Sequence, residues 1–310
     1  GWFAGIAQDS LVMNTDDLAC VGATDGFLLS NTIGRNAHRI DAACIAALIR
    51  GYDVALARMA AQGIGITMTG GETADVGDLI RTLIADSTVV VRYPREQVVD
   101  ASRIHAGNRI VGLASFGQAV YEDRINSGIG SNGLTAARHL LLSSEYRTLY
   151  PESFSETIAP DQVYVGHYSL TTPLPGTDAS AGAGMTAGEA LLSPTRTYVP
   201  VVRDILAAYR TSVSGLIHCT GGGQVKCRDF GQGLRYVKDN LFETPAVFAA
   251  IRASGAVEPG RCTRSSTWGT GWKCIVTRSR SKESSRSRRR TALRHGKSAG
   301  SNPLVERTRS

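Results

Sequence analysis

Alanine, leucine, isoleucine and methionine recur with helical spacing over residues 8–19 and again over 41–62. The second stretch predicts a long helix that stops near Gly63. Residues 65–69 read as a strand that stops at the Gly70-Gly71 pair. Residues 79–91 are apolar and become β-branched at their end, which predicts a strand over 87–93. A turn at 104–108 leads into another strand over 109–115. Further on, helical spacing returns over 134–143 and 198–209, separated by a polar, proline-containing stretch at 145–176. A strand over 214–219 runs into Gly221-Gly222-Gly223. No short repeat is visible.

This alternation predicts a two-domain α/β (α+β) protein with a boundary near Gly107: residues 1–107, residues 108–260, and a tail of different character over 261–310. With 310 residues, 42% of them apolar, the chain can bury real cores. No apolar run reaches the roughly 18–20 residues of a membrane helix, so no membrane partner is expected. The start at Gly1 lacks both an initiator Met and the features of a signal peptide, so the reading places the true start upstream. Six cysteines with no CxxC pair fit neither a zinc site nor a disulfide scaffold, and point to reduced thiols in a cytoplasmic protein.

The formal charge of +7 is a property of the tail. Residues 261–310 hold 14 Lys and Arg against 2 Asp and Glu, leaving 20 basic and 25 acidic residues over 1–260. The body therefore gives no electrostatic reason to expect nucleic acid. Three readings of the tail compete: a disordered basic segment, a nucleic-acid-binding arm, and a shifted reading frame. Reading each codon one frame over, with permitted codon choices, turns residues 260–276 into a string containing VFNMGHRM. The tryptophan codons at Trp268 and Trp272 leave little freedom, and both yield Met. The shifted strings have strand and helix periodicity that the written tail lacks, which favours the frameshift.

Four groups of residues could carry chemistry. Gly70-Gly71-Glu72-Thr73-Ala74-Asp75 follows a strand; paired glycines admit an anionic ligand close to the backbone, and a following acid can hold Mg²⁺ beside it. A tight turn with a solvated Glu72 explains the same residues. Asp16 and Asp17 sit in an apolar helical stretch, where acids cost free energy unless paired, exposed or metal-bound. A solvent-facing helix surface is the plain alternative. Gly128-Ile129-Gly130-Ser131-Asn132-Gly133 precedes a helix, as a phosphate cradle or an ordinary loop would, and it is no Walker A motif. His218 ends a strand before Gly221-Gly222-Gly223, either as an acid/base group or as a structural histidine.

The order of these groups resembles the aminoimidazole-ribonucleotide synthetase (phosphoribosylformylglycinamidine cyclo-ligase) family. The likeness rests on Asp16-Asp17-Leu18, Gly70 to Asp75, Gly112 to Ser115, Ser131 to Gly133, Ser193 to Tyr198 and His218 to Gly223, and covers about residues 1–260. The segment between Ser115 and Ser131, with Tyr121-Glu122, looks like an insertion. The resemblance implies a ligase of purine biosynthesis that uses ATP and Mg²⁺ to close formylglycinamidine ribonucleotide into aminoimidazole ribonucleotide. It implies that Asp17 and Glu72 hold the metal, and that Asp16, Gly70, Gly71 and Thr73 join them around the nucleotide. It implies that Ser131, Asn132, Gly133, Gly221, Gly222 and Gly223 grip the substrate, that His218 acts beside them, and that the protein is a homodimer. The family's upstream D-G-x-G-T-K loop has no match here, so both domains are expected to be incomplete. The alternative is an inactive fragment that binds nucleotide or dimerises.

Overall fold

The computed structural model describes residues 2–175, 184–254, 270–277 and 305–309. The chain opens with α1 (Phe3–Ala19), β1 (Phe27–Arg35), α2 (Ala42–Ala61), β2 (Ile66–Asp75) and β3 (Leu83–Val90). These strands form a three-stranded sheet in the order β2-β1-β3, with β1 parallel to β2 and antiparallel to β3. The α2 start is capped by Asp41, whose carboxylate accepts from Cys44 N. The two helices cross closely at Gly51, where a Cβ would sit 2.7 Å from Ala4 Cα. Together they cover one face of the sheet, burying Leu11, Leu48 and Tyr52 against Leu29 and Ile33. The other face is bare: Leu28, Ile84 and Val90 are each about half exposed.

A second layered unit follows. Its five-stranded sheet runs β7-β9-β4-β10-β8, built from β4 (Arg109–Ala114), β7 (Val213–His218), β8 (Arg235–Val237), β9 (Thr270–Val276) and β10 (Val305–Arg309). A two-stranded ribbon, β5 (Phe116–Gly117) with β6 (Asn126–Ser127), brackets the inserted segment. The helices are α3 (Leu134–Leu141), α4 (Glu145–Leu149), α5 (Ala187–Leu191), α6 (Val199–Tyr209) and α7 (Ala246–Ala253). One core joins the two units: Ala19, Phe27 and Met59 pack with Val199, Val202, Leu216 and Trp272.

Three expectations change here. The chain contains β1, which the pattern reading did not pick out, because its polar Ser30, Asn31 and Thr32 break the apolar run. The pair Gly70-Gly71 does not end a strand; β2 continues through it to Asp75, with a shift of register at Gly70. The tail is not wholly apart from the fold, since Thr270–Val276 forms the strand between β4 and β7. The remaining tail residues, 261–269, 278–304 and 310, lie outside the described residues.

Candidate active site

The site forms where the C-terminal half of α1 meets loops of the second unit. Residues 9, 13, 16 and 17 of a helix share one side, because their spacing matches its 3.6-residue turn. On α1 these are Asp9, Met13, Asp16 and Asp17, and each receives a hydrogen bond from the second unit. Thr195 N donates to Asp9 Oδ1 at 2.7 Å. Ser131 Oγ and Asn132 Nδ2 donate to Met13 Sδ at 3.4 and 3.6 Å. Thr197 Oγ1 and Tyr198 N donate to the two oxygens of Asp16 at 2.8 and 2.7 Å. His218 Nδ1 lies 2.9 Å from Asp17 Oδ1.

Adjacent carboxylates thus meet different fates. Asp16 is fully buried, and burial pushes its carboxyl up to about 6 against the opposing pull of His218, Thr197 and Tyr198. It cannot touch a ligand, which corrects the expectation that it binds nucleotide; it pins the loop before α6 instead. Asp17 is 58% exposed. Burial of its inner side opposes ionisation, but the hydrogen bond and charge of His218, with the charge of Lys226, outweigh it and hold the carboxyl below its ordinary range. A solvent-reaching carboxylate kept ionised at the mouth of a glycine-lined cleft can face a cation or polarise a histidine.

His218 ends β7 with 3% of its surface exposed, its ring tilted over Trp272 at 5.2 Å between centroids. With Nδ1 committed to Asp17, its remaining ring nitrogen is the one free to serve chemistry. A narrow cavity of about 30 Å³ adjoins it, lined among others by Gly130, Ser131, Asn132, Thr195 and Thr220. Beyond His218 the chain turns at Gly222 (φ +85°) and Gly223 (φ +48°), a conformation that glycine adopts without strain. Gly221 faces open space. This turn delivers Lys226, whose Nζ donates to Thr220 Oγ1 at 2.9 Å. On the other side, Gly133 (φ +82°) starts α3, and Ser131 N donates to Thr195 Oγ1 at 2.8 Å.

The structure therefore brings Ser131, Asn132 and His218 to one small cavity, with Asp17 paired to His218, while Gly133 and Gly221–Gly223 adjoin its lining residues in sequence without lining it. It does not bring Glu72, Gly70, Gly71 or Thr73 to them within one chain. Glu72 pairs with Thr32 on β1, which pairs in turn with Asp86 on β3, and these positions belong to the bare face of the sheet. Asp17 belongs to the helix-covered side. The glycine at 71 serves packing: a Cβ there would lie 2.1 Å from Asn31 Oδ1. Among the described residues no three His, Cys, Asp or Glu side chains converge as a metal site. Pattern reading also missed Thr195, Met13 and Lys226. Lys226 follows the glycine turn by three residues, and that basic residue beside a glycine loop was the available signal.

The insertion braces this site. Arg196 is buried and donates to Glu122 at 2.5 Å and to the carbonyls of Ala114, Phe116 and Gly117. Tyr121 Oη donates to Thr197 O, and Asn126 Nδ2 to Pro194 O, both at 2.7 Å. A separate cleft of about 320 Å³ opens behind the insertion, between α1, α2 and Leu192–Pro194.

Two layered α/β units, the first helix of one set against loops of the other, are an arrangement shared with AIR-synthase-like folds. The model of the AIR synthase related protein N-terminal domain matches residues 2–91. Solved structures agree in fold: E. coli HypE, a hydrogenase maturation protein, superposes with a TM-score of 0.57 at 16% identity, covering 98% of this chain and 73% of that one. The thiamine monophosphate kinase of Aquifex aeolicus gives 0.51 at 9% identity, covering 100% and 80%. At the sequence level the chain is 25% identical over 279 residues to the phosphoribosylformylglycinamidine cyclo-ligase of Methanococcus vannielii, and 28% identical over 283 residues to that of Citrifermentans bemidjiense. These alignments take in 89% and 90% of this chain but 65% and 68% of the relatives. The chain is thus similar, at 25–28% identity, to phosphoribosylformylglycinamidine cyclo-ligases, and spans about two thirds of the length of these relatives.

Proposed function

We propose that this chain carries out ATP-dependent closure of formylglycinamidine ribonucleotide to aminoimidazole ribonucleotide, as a cytoplasmic homodimer. The carrying observation is the Asp17–His218 pair, set at 2.9 Å between α1 and the glycine turn. In this reaction the γ-phosphoryl group of ATP passes to the formamide oxygen. That transfer leaves ADP; the amidine nitrogen then attacks the activated carbon and sheds a proton, and phosphate leaves with that oxygen. The protein's work is positioning and charge neutralisation. Asp17 orients His218 through Nδ1, so the other ring nitrogen can take the proton that the attacking nitrogen sheds. Lys226 and the donors of Ser131 and Asn132 suit phosphate oxygens. Related structures support nucleotide binding in this fold, one of them HypE in complex with ATP.

Magnesium fits Asp17 as one ionised, exposed oxygen ligand, since Mg²⁺ is commonly held by one or two carboxylates with phosphate oxygens and water. When bound it would neutralise phosphate charge. Glu72 joins on this reading only from the bare sheet face, in the homodimer whose contact that face would provide. Purified chain, supplied with ATP, Mg²⁺ and the ribonucleotide, is expected to release phosphate only when all three are present. Release independent of the ribonucleotide would contradict the substrate assignment.

A further inference from the structure

Among the four acceptors on the ligand side of α1, three are carboxylates and one is a thioether. Carboxylates hold N–H and O–H donors strongly. A thioether sulfur accepts weakly. It is Met13 that faces Ser131 and Asn132, the two residues just before the glycine start of α3. The geometry leaves Ser131 no other use for its proton. Its backbone N–H goes to Thr195 Oγ1, its Oγ accepts from Thr195 Oγ1 at 3.3 Å, and its own O–H is directed at Met13 Sδ. Asn132 sends its side-chain N–H to the same sulfur from the next position. Both side chains are half-buried, at the edge of the small cavity beside His218.

From this we infer that Met13 is a positioning residue, which parks the Ser131 hydroxyl and the Asn132 amide on a weak acceptor until an anionic oxygen of a phosphate-bearing ligand takes them. The sulfur is strong enough to order the loop and weak enough to yield. A charged phosphate oxygen forms a bond about twice as strong as a neutral one, so the exchange favours the ligand. The inference rests on the function proposed above for the choice of ligand, but the parking itself is a property of the free chain.

Two variants test it. Leucine conserves the volume of methionine and removes the acceptor; glutamine restores a strong acceptor. In Met13→Leu, amide hydrogen exchange over residues 131–134 is expected to rise about three- to tenfold, and KM for the ribonucleotide by a similar factor with kcat within about twofold. In Met13→Gln, exchange is expected to return to the wild-type rate while KM stays raised, because the amide oxygen competes with the ligand. Unchanged exchange in Met13→Leu overturns the inference. So does a Met13→Gln chain in which both quantities return to wild type, since sulfur would then have no special part. If the wild-type chain turns over no substrate, the proposed function falls, and the same variants are read by exchange with and without inorganic pyrophosphate. Pyrophosphate must then slow exchange at 131–134 more in wild type than in Met13→Gln; equal slowing overturns the parking.

Discussion

Asp16 and Asp17 differ by one position in sequence and by their whole environment in the fold. The sequence showed that acids in an apolar helix need a reason, and the structure supplies two: one is a buried clamp, the other an exposed partner of His218. Nothing in a single sequence separates them, because the difference is made by Thr197, Tyr198 and His218, each about 180 to 200 residues away. The clamp has a pH signature. The Asp16 carboxyl titrates at about 6 in the folded chain, above its ordinary 3.8. Its contribution to stability is therefore complete below about pH 3.8 and is lost as pH rises through about 6. In Asp16→Asn that loss is absent, so the wild-type urea midpoint should fall relative to that of the variant as pH rises through this window. Parallel curves from pH 4 to 7 would contradict the assignment. For the neighbour, Asp17→Asn is expected to leave the urea midpoint nearly unchanged and to lower kcat by about 10²- to 10³-fold, since general acid–base residues contribute on that order.

Elements were legible where their periodicity was clean. Both long helices and the strands at 109–114 and 213–218 follow directly from spacing. The polar β1 was not legible, because its alternation is interrupted and its polar side chains face the bare side or a buried serine cluster with Ser87. The glycines of β2 misled for a physical reason: glycine permits tight turns and also permits close packing beside Asn31. The insertion could be seen as an insertion but not as a brace, since Glu122 gives no hint of its partner Arg196. Removing one partner of a buried ion pair leaves an uncompensated charge. Glu122→Gln is therefore expected to destabilise the chain by about 3 kcal/mol in urea denaturation, and the paired change of Glu122 and Arg196 to leucine by less. Equal losses in both would show that the loop is held by its other contacts.

At the scale of the molecule, two sheets share one core, and the strand at its heart is Thr270–Val276. This strand lies in the stretch that the sequence reading set apart from the fold. Lys273 is buried there, with its Nζ 2.8 Å from Cys219 Sγ. A buried lysine is rare without an anionic partner. Ending the chain at residue 254 would take a central strand out of the sheet, and is expected to abolish cooperative thermal unfolding; a preserved transition in calorimetry would show that the sheet closes without it. The bare face of the first sheet, with Leu28, Ile84 and Val90, remains the surface proposed for the homodimer. Asp17 and His218 are proposed to work as a pair on a phosphorylated substrate. Phosphate release by wild type, Asp17→Asn, His218→Ala and the double variant tests it most directly. The account predicts that the double variant is no slower than the slower single one. Losses that multiply would contradict it.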